Sequence, residues 1–423
     1  MKTIIRNLFL PKKQKNQLRK TYLWSVLSGG LYSMSTFLMF WVTAFFCGTY
    51  KAGIFTMAMS VGQQLVTIGY FNVRTYQVSD VKQTYSFGDY VAFRILTCLA
   101  MGAAGVLWMA AGGFRGEKLA AVAILLAFKA GEAFADVMEG LYQQRERYDG
   151  AARAMFWETV LFLGTFALVL AASRNLVLAL AAMTAVYLAA VAVIDGSLVG
   201  IYERLRPRFH REKQRRLFFA CLPLFLNSFL VLYINNASKY AVDRLAGSRE
   251  LAYFNIIYMP AFVINMLGGF LLKPMLASLS LRFQNREFSR FCGILRKQAL
   301  YIGAVTLLCV GGAWLLGIPV LSFIYRTDLS GYRGELCILV LAGAFSALYL
   351  MFQYALIIMR HQYASLAGCT VTAAAAWMGI PRLVGRFGIT GAAWGYLMLM
   401  LLMSLIYFGM TFIYFMKEKR KRL

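Results

Sequence analysis

Apolar residues in this chain fall into long runs separated by short polar turns. Twelve runs can be drawn, at about 21–47, 52–73, 88–112, 117–141, 152–173, 176–201, 216–238, 250–279, 298–325, 335–359, 363–386 and 389–416. Each approaches the ~20 residues that a helix needs to cross a bilayer. The pattern predicts an all-α polytopic membrane protein with about 12 transmembrane helices. The first run is too long for a signal-peptide core and lacks a small-residue cleavage site, so it reads as a span. Ile4, Ile5, Leu8, Phe9 and Leu10 in the basic segment before it could lie on the membrane surface.

Composition supports that reading. The chain has 423 residues, is 60% hydrophobic and has a mean hydropathy of +0.61, more apolar surface than a soluble domain of that size can hide. The net charge of +26 sits in short clusters between spans. That suits anionic membrane lipids as partners and not nucleic acid. With the N-terminus inside, about three quarters of the Lys and Arg residues fall at the cytoplasmic face. The expectation is a multi-pass protein of a bacterial cytoplasmic membrane with both termini in the cytoplasm.

The seven cysteines are scattered and the two histidines, His210 and His361, fall in loops, so no metal site is expected. Without a phosphate loop or nucleophile elbow, no enzyme activity or cofactor is expected either.

The strongest basic loop, ERLRPRFHREKQRR (203–216), marks a boundary between two lobes, 1–205 and 206–423. The halves resemble each other. A shift of about 199 residues sets Gly48 on Gly247, Phe55 on Phe254, Arg74 on Lys273 and Ser79 on Ser278. Six spans per half make this a parallel repeat about an axis normal to the membrane.

Two sets of polar positions interrupt the spans. Gln63, Thr67, Tyr70 and Arg74 lie within about 60° of one helical face. Lys129, Glu132, Asp136 and Glu139 lie within about 80° of one face of the fourth span. Ionisable residues at that depth cannot face lipid. They line a cavity, or they form a self-neutralising stripe with Lys129 paired to Glu132 at i,i+3. Glu158 and Asp195 are weaker candidates. The seventh and eighth spans hold Pro223, Asn235, Asn236, Lys239, Pro260, Lys273 and Pro274, a composition of bent, protein-facing helices.

Three segments carry a family resemblance. They are VRTYQVSDVKQTYSFGDYVAFR (73–94), KAGEAFADVMEGLYQQRERYD (129–149) and NNASKYAVDRLAGSRELAYFNIIYMPAFVINMLGGFLLKPM (235–275). They resemble Wzx-like polysaccharide-unit flippases of the multidrug/oligosaccharidyl-lipid/polysaccharide (MOP) exporter superfamily. The resemblance implies two six-helix lobes and alternating access. It also implies transfer of undecaprenyl-diphosphate-linked saccharide from the inner to the outer leaflet, with a polysaccharide polymerase or glycosyltransferases as further partners. By that resemblance Arg74, Arg94 at the entrance, Lys273 and Lys239 contact the lipid phosphate. From its position above Arg74, the stripe of Gln63, Thr67 and Tyr70 is then available to sugar hydroxyls. The stripe Lys129, Glu132, Asp136 and Glu139 is expected to face the cavity of the N-terminal lobe, with Glu132 or Asp136 taking part in coupling and H+ or Na+ left open as the ion. The competing readings are a cation-coupled multidrug (MATE-type) exporter and a membrane glycosyltransferase or polymerase. The first would favour an acidic, aromatic cavity. The second would want a large outer loop carrying carboxylates, and the longest outer loop has about a dozen residues.

Overall fold

A computed structural model of the chain describes residues 17–80, 84–145, 148–272, 279, 282–283, 285–359 and 361–420. Those residues form helices and connecting turns, with no strand among them. In chain order the main helices are α1 (Gln17–Tyr70), α2 (Val73–Ser79), α3 (Phe87–Ala111), α4 (Gly116–Gln144), α5 (Tyr148–Ser173) and α6 (Leu176–Tyr202). They continue as α7 (Arg211–Leu245), α8 (Ser248–Leu272), α9 (Phe288–Gly312), α10 (Ile318–Tyr325), α11 (Arg333–Ile358) and α12 (Gln362–Arg420). One π-helical turn, Ala313–Gly317, joins α9 to α10.

Eight helical stretches among the described residues are long and apolar enough to cross a membrane. Two are double-length and broken by a glycine, α1 at Gly48 (φ 81°) and α12 at Gly388 (φ 57°). A left-handed φ is costly for any residue with a Cβ, so these glycines let the chain reverse between spans. Both halves of the broken helices, with α4 and α8, bring the crossings to the twelve expected. The repeat is visible at its first two matched positions. Gly247, the counterpart of Gly48, also has a positive φ, and Phe55 and Phe254 are both buried. Lys273 and Ser278 lie outside the described residues.

The chain divides into two compact units, 1–229 and 230–423. The sequence reading divides the lobes earlier, at 205/206, in the basic linker. The structural division falls inside α7 because the N-terminal half of that helix packs on the turn between α1 and α2. Phe225 stacks on Phe71 at 4.4 Å, and Asn72 Nδ2 donates to the Leu224 carbonyl at 2.9 Å. In the first unit α1 packs against α3, α4 and α5, with α4 and α5 also against α6. In the second, α11 is central and packs against α8, α9 and α12.

A cavity of carboxylates and guanidiniums in the N-terminal unit

α1 ends at Tyr70, and two consecutive left-handed residues, Phe71 (φ 45°) and Asn72 (φ 54°), turn the chain before α2 restarts it. Neither is glycine, so the turn stores strain that tertiary contacts offset. Phe71 is sandwiched by Phe93, Phe218 and Phe225. Asn72 also donates to Ser228 Oγ at 2.8 Å. The turn aims Arg74 at α4. It also frees the Gly69 carbonyl from its helical bond, as at any helix C-terminus. That carbonyl accepts from Arg94 Nη1 and from Thr97 Oγ1.

On α4 the four predicted residues share one face. Lys129 Nζ donates to Glu132 at 2.6 Å, the i,i+3 pair expected of a neutralising stripe. Tyr32 of α1 donates to the other Glu132 oxygen at 2.6 Å. Asp136 lies between two arginines, 2.6 Å from Arg94 Nη2 and 3.3 Å from Arg74 Nη1. Glu139 holds Arg74 at 2.6 Å. The guanidiniums are not equivalent. Arg94 is wholly buried and 5.8 Å from the Tyr70 ring centroid, so it lies within the packing of α1, α3 and α4 and not at an entrance. Arg74 keeps a quarter of its side-chain surface exposed.

These residues border a cavity of about 190 Å³ in the N-terminal unit. Tyr32, Tyr70, Arg74, Glu132, Asp136 and Glu139 form one wall, and Glu158, Thr159 and Tyr187 line the α5–α6 side. Four carboxylates and one guanidinium therefore face this space directly. Lys129 and Arg94 stand behind it, each tied to a lining carboxylate. Gln63 is half-buried, and Thr67 donates to the Gln64 carbonyl of its own helix at 2.6 Å.

Glu158 gains weight in three dimensions. It is 4% exposed, and its Oε1 has no hydrogen-bond partner. Asp195, 1% exposed, is reached by the Tyr142 hydroxyl at 3.4 Å. Tyr32 and Tyr187 carried no sequence signal as site residues. Their positions depend on helices packed far apart in the chain.

In the C-terminal unit, Lys239 lies 4.7 Å from the Tyr258 ring centroid. Tyr258 and Tyr396 share a 3.1 Å hydroxyl contact, and Tyr396 reaches Asn235 at 3.3 Å. Lys239 makes no ion pair among the described residues, in contrast to Arg74, Arg94 and Lys129.

No family model and no curated protein sequence matches this chain. Solved structures do match over nearly its whole length. One is a multidrug-resistance MATE family transporter of the MOP superfamily, with a TM-score of 0.71, 14% identity and 99% of each chain covered. A second is a MOP superfamily transporter from Pyrococcus furiosus, described as having a binding pocket of reversed polarity that suggests a different function; the TM-score is 0.57, identity 14%, and 98% of each chain is covered. A third is a MATE transporter of Vibrio cholerae, with a TM-score of 0.58, 11% identity, and 95% of this chain and 97% of that one covered. The chain has the fold of the MATE transporters of the MOP superfamily.

Proposed function

We propose that this protein is a membrane transporter that moves an undecaprenyl-diphosphate-linked saccharide across the bilayer by alternating access. One observation carries the reading. The cavity joins a partly exposed guanidinium to carboxylates that can release it. In the closed network Asp136 and Glu139 satisfy Arg74. A proton arriving on Glu139 removes one of its counter-charges and frees N–H donors for phosphate oxygens, which arginine binds in bidentate fashion. Arg94 keeps Asp136 oriented throughout. Proton uptake and anion binding thereby favour each other, a positive linkage between the two events. Lys239, over the Tyr258 ring and with no carboxylate within ion-pair distance among the described residues, offers the C-terminal unit a point charge that suits an anion. Lys273 remains a candidate from its place in the repeat.

Cation-coupled multidrug export is the second reading, and it is favoured by the acidic excess of the cavity wall. Proteoliposomes containing the purified protein separate the two. Under the flippase reading, translocation of lipid-linked saccharide depends on the protein and falls at least tenfold in Arg74→Ala, with partial recovery in Arg74→Lys (about 1.4 kcal/mol per tenfold). Protein-dependent uptake of a cationic dye, with no movement of the lipid-linked saccharide, would establish the multidrug reading instead.

A further inference from the structure

The linker between α6 and α7 lies outside the helices, yet its backbone is fixed. The Arg208 N–H donates to the Gly88 carbonyl at 2.9 Å. Gln214, itself buried, donates from Nε2 to the Asp89 carbonyl at 3.0 Å. The fully buried Asp89 carboxylate receives Lys213 Nζ and His210 Nδ1 at 3.0 Å each, and it caps α3 through Ser86. Gly88 marks the closest approach, where a Cβ would collide with the Arg206 carbonyl. Four polar contacts to two residues are more than a passive connection needs.

The outward side of this fixed backbone is unbalanced in charge. Arg204, Arg206, Arg208, Arg211 and Arg215 are exposed. The carboxylates of the same segment are engaged elsewhere, Glu203 with Arg145 at 3.0 Å and Glu212 with Arg216 at 2.5 Å. Leu205 and Phe209 stand between the arginines, 48% and 57% exposed. α6 and α7 are both long and apolar enough to span, so the linker that joins them lies at the level of the lipid headgroups.

We propose that this linker is a binding site for an anionic lipid. Arg204, Arg206 and Arg208 hold the headgroup phosphate, and Leu205 and Phe209 enter the acyl boundary. Each basic residue near an anionic surface contributes about 1 kcal/mol. Guanidinium forks add directed bonds to phosphate oxygens, and the exposed apolar pair distinguishes a lipid from free phosphate. The clasp on Asp89 keeps the three arginines together. The site lies outside the transport cavity and does not depend on which substrate that cavity carries.

Native mass spectrometry of the full-length protein in neutral detergent, with equal phosphatidylglycerol and phosphatidylcholine added, tests this. The parent should retain the anionic lipid at least about threefold over the zwitterionic one, a conservative expectation for several basic contacts. The Arg204→Gln, Arg206→Gln, Arg208→Gln variant should bring that ratio near one. A charge-matched variant at the far helix ends, Arg115→Gln, Arg244→Gln, Arg249→Gln, should leave it unchanged. Asp89→Asn, with every arginine in place, should lower the ratio by loosening the clasp. If the triple linker variant cannot be recovered, Arg206→Gln alone should show a partial fall. Equal preference in parent and linker variants would leave these charges a topological role only. Displacement of the lipid by equimolar inorganic phosphate would assign the site to the free ion. Either result overturns the proposal.

Discussion

Asp136 is the residue whose loss should be felt most. It is the counter-charge of Arg94, which has no exposed surface and no other carboxylate within ion-pair distance among the described residues. Removing one partner of a buried pair leaves the other charge uncompensated, at a cost of roughly 3–5 kcal/mol. Asp136→Ala should therefore lower the thermal midpoint of the detergent-purified protein sharply. Asp136→Asn, whose amide oxygen still accepts from the guanidinium, should lower it less. Arg74→Ala should barely move the midpoint, because Arg74 borders the cavity and its carboxylates can be solvated there. A large loss in Arg74→Ala would mean that both arginines are structural. Periodicity had placed Lys129, Glu132, Asp136 and Glu139 on one face. It had no means of pairing Asp136 with Arg94, or Glu132 with Tyr32 across a hundred residues.

Helix breaks are the decisive feature among the elements. Gly48 and Gly388 each turn a double-length helix back at a left-handed φ, with no neighbouring atom near the missing Cβ. Alanine at either position meets no clash and suffers only from the backbone conformation, about 1–3 kcal/mol. Gly409 lies within regular helix and also has open space around it, so Gly409→Ala should be neutral or stabilising by up to about 1 kcal/mol. Thermal midpoints of the three variants give the comparison. Equal effects at all three sites would remove the backbone argument.

The turn into α3 makes a separate prediction about acid. Burial pushes the Asp80 carboxyl upward, but the Thr84 and Tyr85 N–H groups and the Tyr90 hydroxyl, each at 3.0 Å, outweigh it and hold the group below its ordinary value of 3.8. A depressed folded-state value stabilises above the unfolded value and is lost as pH falls through the folded one. The contribution of Asp80 should be intact at neutral pH and disappear below about pH 4. Asp80→Asn should flatten the acid limb of midpoint against pH, and an unchanged limb would remove Asp80 from it.

At the scale of the whole molecule, orientation in the membrane is the open quantity that charge predicts. In a cysteine-free background, a cysteine at the exposed Arg204 or Arg211 should resist an impermeant thiol reagent in intact cells, and one at Arg115 should react. Gln214, in the same basic segment, is buried against Asp89 and is a poor reporter. Labelling at Arg204 from outside would invert the topology and place the lipid-binding linker on the other leaflet.

The sequence by itself determined the crossings, the all-helical class and the location of the charged faces. Those follow from run length, hydropathy and the 3.6-residue period, which are local properties of a helix in lipid. The glycine echo at 48 and 247 was also legible, because a tight reversal between spans favours glycine at a positive φ. Only the tertiary structure decided which charges meet. It brought Arg94 from the third span onto Asp136 of the fourth, left Arg74 facing open space, and drew Glu158 to the same cavity. It also kept the N-terminal half of α7 with the N-terminal unit and fastened a basic linker to a buried aspartate. Such pairings depend on helix rotation and depth, which are set by packing between segments remote in the chain.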